Sequence, residues 1–156
     1  MIKFHEIGMY KNEVNIPYCR VSETITGGIK NGYVVTYSEK DKIIVLPTST
    51  TAKGGDLAVV MNVIDKPELY SPDDYVISVG ECARLFRLDS LVNRLLDMND
   101  LALTTIYTSV NVGDKLIAGT DGKWVKSASV DGYSVYLEVI EKTGFCGNGL
   151  LVKVHA

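Results

Sequence analysis

The chain has few of the residues that most often carry chemistry. Its two histidines, His5 and His155, stand near opposite ends of 156 residues. Histidine is the commonest general base, yet neither has an acid at a telling spacing, so both read as packed or solvated side chains. The three cysteines, Cys19, Cys82 and Cys146, are odd in number and show no CxxC spacing. That excludes a disulfide framework or a zinc site from sequence, and they read as free, mostly buried thiols. Basic residues are also scarce: 16 Lys and Arg stand against 19 Asp and Glu. Without a dense Lys/Arg run, nucleic-acid binding lacks its usual source of affinity. No apolar run approaches the roughly 20 residues of a membrane helix. The opening "MIKFHEIGMYKNE" carries polar residues throughout its length and has no signal-peptide apolar core, so the expectation is a soluble protein of a cytosol. A phosphate loop is missing too, because "TAKGGD" leads into a strand instead of a helix. "SPDDY" and "EKD" do not follow the ligand order of a calcium loop. No metal, cofactor or catalytic residue is expected.

What is present is a chain able to build a core. Hydrophobic residues make up 46% and charged residues 22%, and this length buries about two-thirds of the unfolded surface. "YVVTY" and "KIIVL", joined by the polar "SEKD", read as a hairpin. Pro47 ends its second strand because proline cannot donate to a ladder. "TSTTAKGG" reads as a loop, "DLAVVMNVI" as a buried strand and "DKPELYSPDD" as a connector. "YVISVGE" and "ALTTIYTSV" read as further strands. Leu85, Leu88, Val92 and Leu95 recur at helical spacing, which predicts a short helix within 85–98. The alternative continues "ECARLFRL" as a strand and begins the helix after Asp89. Asp121-Gly122 between "KLIAG" and "KWVK" is a two-residue hairpin signal. "DGYSVYLEVIEK" reads as a strand with Tyr133, Val135, Leu137 and Val139 on one face, and "LLVKVHA" as the last strand. Residues 1–20 have little period and contain Pro17, so they read as an extended arm or an edge strand. Trp124 is expected in the core.

Two stretches invite comparison. "GGDLAVVMNVIDK" and "VDGYSVYLEVIEK" both close on Val-Ile-acid-Lys. Upstream, Gly32 sets against Gly113, Ile29 against Val110, Val35 against Leu116 and Ile43 against Trp124. Asp41 falls one place from Asp121. The reading is an internal repeat, 25–67 and 106–143, with 68–105 as spacer. The competing reading is that any two hairpins share alternation and turn glycines. A three-stranded unit with one apolar face must cover that face. The expected fold is therefore mainly β: a sandwich or barrel built from two similar β units with one short helix between them. Residues 21–156 would form one β-rich domain.

The stretches "GGIKNGYVVTYSEKDKIIVLPT", "GGDLAVVMNVID", "YVISVGECARLFRL", "NVGDKLIAGTDGKWVK" and "YLEVIEKTGFCGNGLLVKV" together resemble small β-rich bacteriophage capsid decoration, or cement, proteins. The likeness spans roughly residues 25–156 and is one of layout. It implies a structural virion protein on the outer capsid, bound to the major capsid protein and bridging coat subunits, as a monomer or homo-trimer. It implies no active-site residues, no nucleic acid and no membrane. Such a protein needs a stiff core and a segment that lies on the shell. On this reading Phe4, Ile7, Tyr10, Ile16 and Tyr18 of the arm are expected to meet the partner. A phage tail or neck component, a small ligand-binding β-barrel and an enzyme stay open as alternatives.

Overall fold

A computed structural model describes residues 1–4, 15–64 and 71–156. Eleven strands lie within them: β1 (Ile2–Phe4), β2 (Asn15–Val21), β3 (Val34–Ser38), β4 (Ile43–Val45), β5 (Leu57–Val60), β6 (Cys82–Arg87), β7 (Leu95–Asn99), β8 (Lys115–Ala118), β9 (Trp124–Ser127), β10 (Tyr136–Thr143) and β11 (Gly149–His155). The first unit is a closed barrel, β2-β4-β3-β5-β6, in which β6 returns to β2. The second is a sheet in the order β1-β7-β11-β10-β8-β9. The fold is mainly β, as expected.

The two units share one strand order. In each, the first strand pairs the fifth, the fifth pairs the fourth, the fourth pairs the second and the second pairs the third. The seam that closes the barrel is the parallel contact of β2 with β4. The second unit keeps a trace of that seam as a parallel bridge between Leu103 and Trp124. The backbone bonds correspond as well. Ser22 N–H donates to the Ile44 carbonyl at 3.0 Å, and Thr104 N–H donates to the Trp124 carbonyl at 2.9 Å. Gly32 N–H donates to Val60 O at 2.8 Å, and Gly113 N–H to Val139 O at 2.7 Å. Both glycines hold positive φ, +94° and +87°, where a side chain is strained.

These bonds refine the alignment read from sequence. Gly32 does answer Gly113, and Val35 answers Leu116. Trp124, however, answers Ile44, not Ile43, and both are fully buried. Val139 answers Val60, not Val63, so the shared Val-Ile-acid-Lys ending is not a structural equivalence. The reason is burial. All four residues of β5 are buried, so its sequence has no alternation by which to set a register.

That double burial also explains how the units join. Val35, Ala58, Val60 and Leu85 point into the barrel with Ile16, Cys19 and Ile44 and fill it, as a small barrel requires. Val34, Val59 and Phe86 point the other way. They form a cross-strand row over β3, β5 and β6 and enter the core of the second unit with Leu96, Leu116, Trp124, Leu137 and Val152. The outside of the barrel is therefore the lid of the second sheet. Polar bonds fasten the seam: Val34 N–H to Gly122 O at 2.8 Å, Trp124 Nε1–H to Gly32 O at 3.2 Å and Ser134 N–H to Lys53 O at 3.1 Å.

Several local expectations need correction. The span 85–98 is not a helix: β6 runs to Arg87, a 3-10 turn covers Asp89–Leu91, and β7 begins at Leu95. Its apolar residues serve two strands that lie apart, so the helical spacing reports no single face. "YVISVGE" contributes one bridging residue, Ile77, opposite Ile29. "ALTTIYTSV" holds the 3-10 turn Tyr107–Ser109. The turn around Asp121-Gly122 spans five residues, 119–123, between β8 and β9. Of the free thiols, Cys19 is buried while Cys82 and Cys146 are exposed. Residues 15–20 are no arm, because β2 is a barrel strand between β4 and β6. Ile2–Phe4 is an edge strand on β7.

Candidate partner-binding surface

The two units differ most at one end. In the first, β5 and β6 are linked by the long stretch 61–81, and residues 71–80 of it fold back over the end of the barrel. Ile29 and Ile77 exchange N–H···O bonds of 3.0 and 2.9 Å. Ile25 shares a buried cluster with Tyr75 and Ile77 and is only 3% exposed. Asn31 is 7% exposed. Its amide donates to Asn62 O at 2.9 Å and accepts from Asn62 N–H at 2.6 Å. Gly28 permits this cover, since a Cβ there would overlap the Ile77 carbonyl.

In the second unit, β10 and β11 are joined by the short turn 144–148, and among the described residues nothing equivalent folds back. The residue answering Ile25 is Ile106: Gly28 N–H donates to Ile25 O, and Ser109 N–H donates to Ile106 O. Ile106 is 75% exposed. The residue answering Asn31 is Val112, 62% exposed. Gly113 N–H bonds Val139 O, so Val112 and Ile140, another exposed apolar residue, are the chain neighbours of one bonded pair. Around them Lys126 Nζ lies 2.6 Å from Asp114 Oδ2. The Lys142 ammonium sits 4.6 Å from the centre of the Tyr107 ring. The Lys126 bond and the Asn111 N–H hold the Asp114 carboxyl below its ordinary range. Exposed apolar groups ringed by paired charges mark interaction surfaces more often than sites of reaction.

Other polar groupings read as structure. Asn99 is fully buried. Its Nδ2 donates to Asp73 Oδ1 at 2.8 Å, its Oδ1 accepts from the Met1 ammonium, and its N–H bonds Met1 O at 2.9 Å. Burial holds that ammonium's pKa below its usual value. These groups satisfy one another and staple β1 to the barrel's covering loop. His155 Nε2 is 2.8 Å from Glu138 Oε2 without hydrogen-bond alignment, and its ring stacks on Tyr136 at 5.1 Å. This is a cross-strand pair on β10 and β11. Burial pushes the Cys19 thiol up, away from the reactive thiolate. Among the described residues no group of three His, Cys, Asp or Glu could hold a metal, and no helix is long and apolar enough to cross a membrane. A cleft of about 810 Å³ runs between Ser49, Thr50 and Lys53 on one side and Ile117, Thr120 and Tyr133 on the other. It offers hydroxyls and one ammonium, which sits over the Tyr133 ring at 5.7 Å.

The residues assigned to a partner from sequence separate. Ile16 is buried inside the barrel, so it cannot meet a partner, because inward positions of a small barrel fill its core. Tyr18 is exposed on the outside, where Ile43 and Val45 of the neighbouring β4 are also exposed. Phe4 pairs its backbone with Leu96. Ile7 and Tyr10, like His5, lie outside the described residues. Ile106 was missed because "ALTTIYTSV" looks like a strand that would bury alternate residues, and Val112 lies just past that stretch, before Gly113. The repeat alignment held the signal: the apolar position Ile25 recurs as Ile106, but the long covering stretch that follows the first copy does not.

No family model, no curated protein and no solved structure matches the chain.

Proposed function

We propose that the protein is a structural component of a phage virion that binds the outer surface of the capsid and stabilises it by bridging coat subunits. The layout resemblance motivates this reading, and one observation carries it: Ile106 and Val112 stand bare at the end of the second unit, where the counterparts Ile25 and Asn31 of the first unit are buried. A shared core joins the two units, which suits a clamp that must hold neighbouring subunits at a fixed spacing. A protein that binds only the assembled shell stabilises it by mass action. The major capsid protein is the proposed partner, with a homo-trimer as the proposed assembly.

The experiment is immunogold labelling of purified particles, followed by heating particles with and without the protein. Gold on the shell and an earlier loss of genome from particles lacking the protein are expected. Gold on the tail would replace this reading with a tail or neck role, and no labelling would end both.

A second reading has its own observation. The cleft beside Lys53 and Tyr133 is large enough for a small ligand, which favours a ligand-binding β protein. Particles without label, together with saturable binding of a small molecule lost in Tyr133→Ala, would favour it.

A further inference from the structure

We infer that the uncovered end of the second unit receives an extended, apolar segment of another polypeptide, laid across Ile106, Val112 and Ile140. The proposal rests on the reading above for the identity of that polypeptide, a coat subunit, but its geometry comes from the chain itself. The first unit shows what occupies this position. There the segment Ser71–Gly80 crosses the barrel end and places Tyr75 and Ile77 in the cluster that buries Ile25. The second unit has the same strand order and the same bonds from Ser109 and Gly113 as from Gly28 and Gly32, although Val110 N–H bonds Tyr107 O where Ile29 N–H bonds Ile77 O, and it has apolar side chains, Ile106 and Val112, at the covered positions. Among the described residues it lacks a covering segment, because its fourth and fifth strands are joined by a tight turn. A side chain that is buried in one unit and 75% exposed in its counterpart marks a missing neighbour. Sheet edges and ends of this kind are commonly completed by an extended peptide from outside.

The two ends are not identical, and the difference shapes the proposal. Gly28 lets the Ile77 backbone approach, whereas Ser109 stands at the equivalent place. The incoming segment must lie farther out, so side-chain burial on Ile106 and Val112 carries the contact in place of a two-way backbone bridge at Val110. The nearby charged residues Asp114, Lys126, Glu141 and Lys142 are two of each sign. Binding should therefore depend little on salt, unlike a charge-steered contact.

The test uses the full chain and an Ile106→Asp, Val112→Asp variant. Both residues are exposed, so the variant should unfold at the same temperature as the wild type. Particles stripped of the protein should rebind wild type, and the variant should bind at least roughly tenfold more weakly, as for loss of central interface contacts. A photo-crosslinker at position 112 should join to one contiguous coat segment. If wild type and variant rebind equally, the inference falls and the capsid reading stands. If wild type fails to rebind, the capsid reading falls, and a synthetic peptide copying Ser71–Gly80 decides the inference alone. Millimolar peptide should shift amide resonances around 106, 112 and 140 of wild type and leave those of the variant unmoved. Absent or scattered shifts overturn it. A concentration-dependent dimer abolished by the variant would also overturn it, by showing that a second copy is the occupant.

Discussion

Trp124 tests whether the two units are one cooperative body. Its indole is fully buried in the core that both units share, and its Nε1–H donates to the Gly32 carbonyl across the seam at 3.2 Å. Trp124→Ala removes the largest side chain of that core. The cost of such a truncation is about 3–5 kcal/mol. Trp124→Phe keeps most of the apolar contact and loses the donor, which should cost about 1–3 kcal/mol through the stranded carbonyl and the lost volume. At this chain length each kcal/mol moves the melting temperature by roughly 2–4 °C. The alanine variant should therefore melt roughly 6–20 °C lower and the phenylalanine variant by about half as much or less. Urea unfolding followed by far-UV circular dichroism measures both. Because Val34, Val59 and Phe86 of the barrel lie in the same core as Leu116, Leu137 and Val152 of the sheet, each variant should keep a single transition. A loss below about 1 kcal/mol for Trp124→Ala, or a split into two transitions with only one displaced, would refute the shared core.

Deletion of residues 1–18 should abolish cooperative unfolding, because it removes Ile16 from the barrel interior and β1 from the sheet; a truncated chain with an intact sharp melt would show those strands to be dispensable. Gly28→Ala should cost about 2 kcal/mol or more, from left-handed φ strain plus overlap with the Ile77 carbonyl. Gly27→Ala has similar φ but open space, so it should cost only the strain, about 1–2 kcal/mol; equal losses in the two variants would contradict the close approach. The Asp114 carboxyl is held low by Lys126 and the Asn111 N–H. Its contribution is therefore complete above the unfolded aspartate value, about 3.9, and is lost as pH falls through the lower folded value. Asp114→Asn should flatten that part of the stability profile below about pH 4, and urea midpoints at successive pH values would reveal an unchanged slope if the bond does not matter.

How much was legible depended on distance along the chain. The β3–β4 and β8–β9 hairpins were readable because their partners are near neighbours, joined by polar or glycine turns. The strand at the end of the chain was readable as an apolar alternation. The helix over 85–98 was misread because β6 and β7, pooled into one window, mimic a helical period. The partner surface was misplaced for a related reason. Ile16 and Tyr18 are two residues apart and would share a face of a regular strand, yet a register shift between Ile16 and Cys19 turns Ile16 and Cys19 into the barrel and Tyr18 outward. Ile106 looks like a core residue of a strand, yet it lies in none.

By itself the amino-acid order determined the local vocabulary: β-rich, turn-punctuated, poor in catalytic side chains, and written as two similar units. Those properties follow from residue type and short-range spacing. Only the tertiary structure decided that β2 closes the first unit into a barrel, that the outer face of that barrel lids the second sheet, and that one unit covers its own end while the other leaves it bare. Each of these is a pairing between segments distant along the chain. Burial on both faces of β5 erased the alternation that would have announced it, so the register was settled by packing and not by pattern.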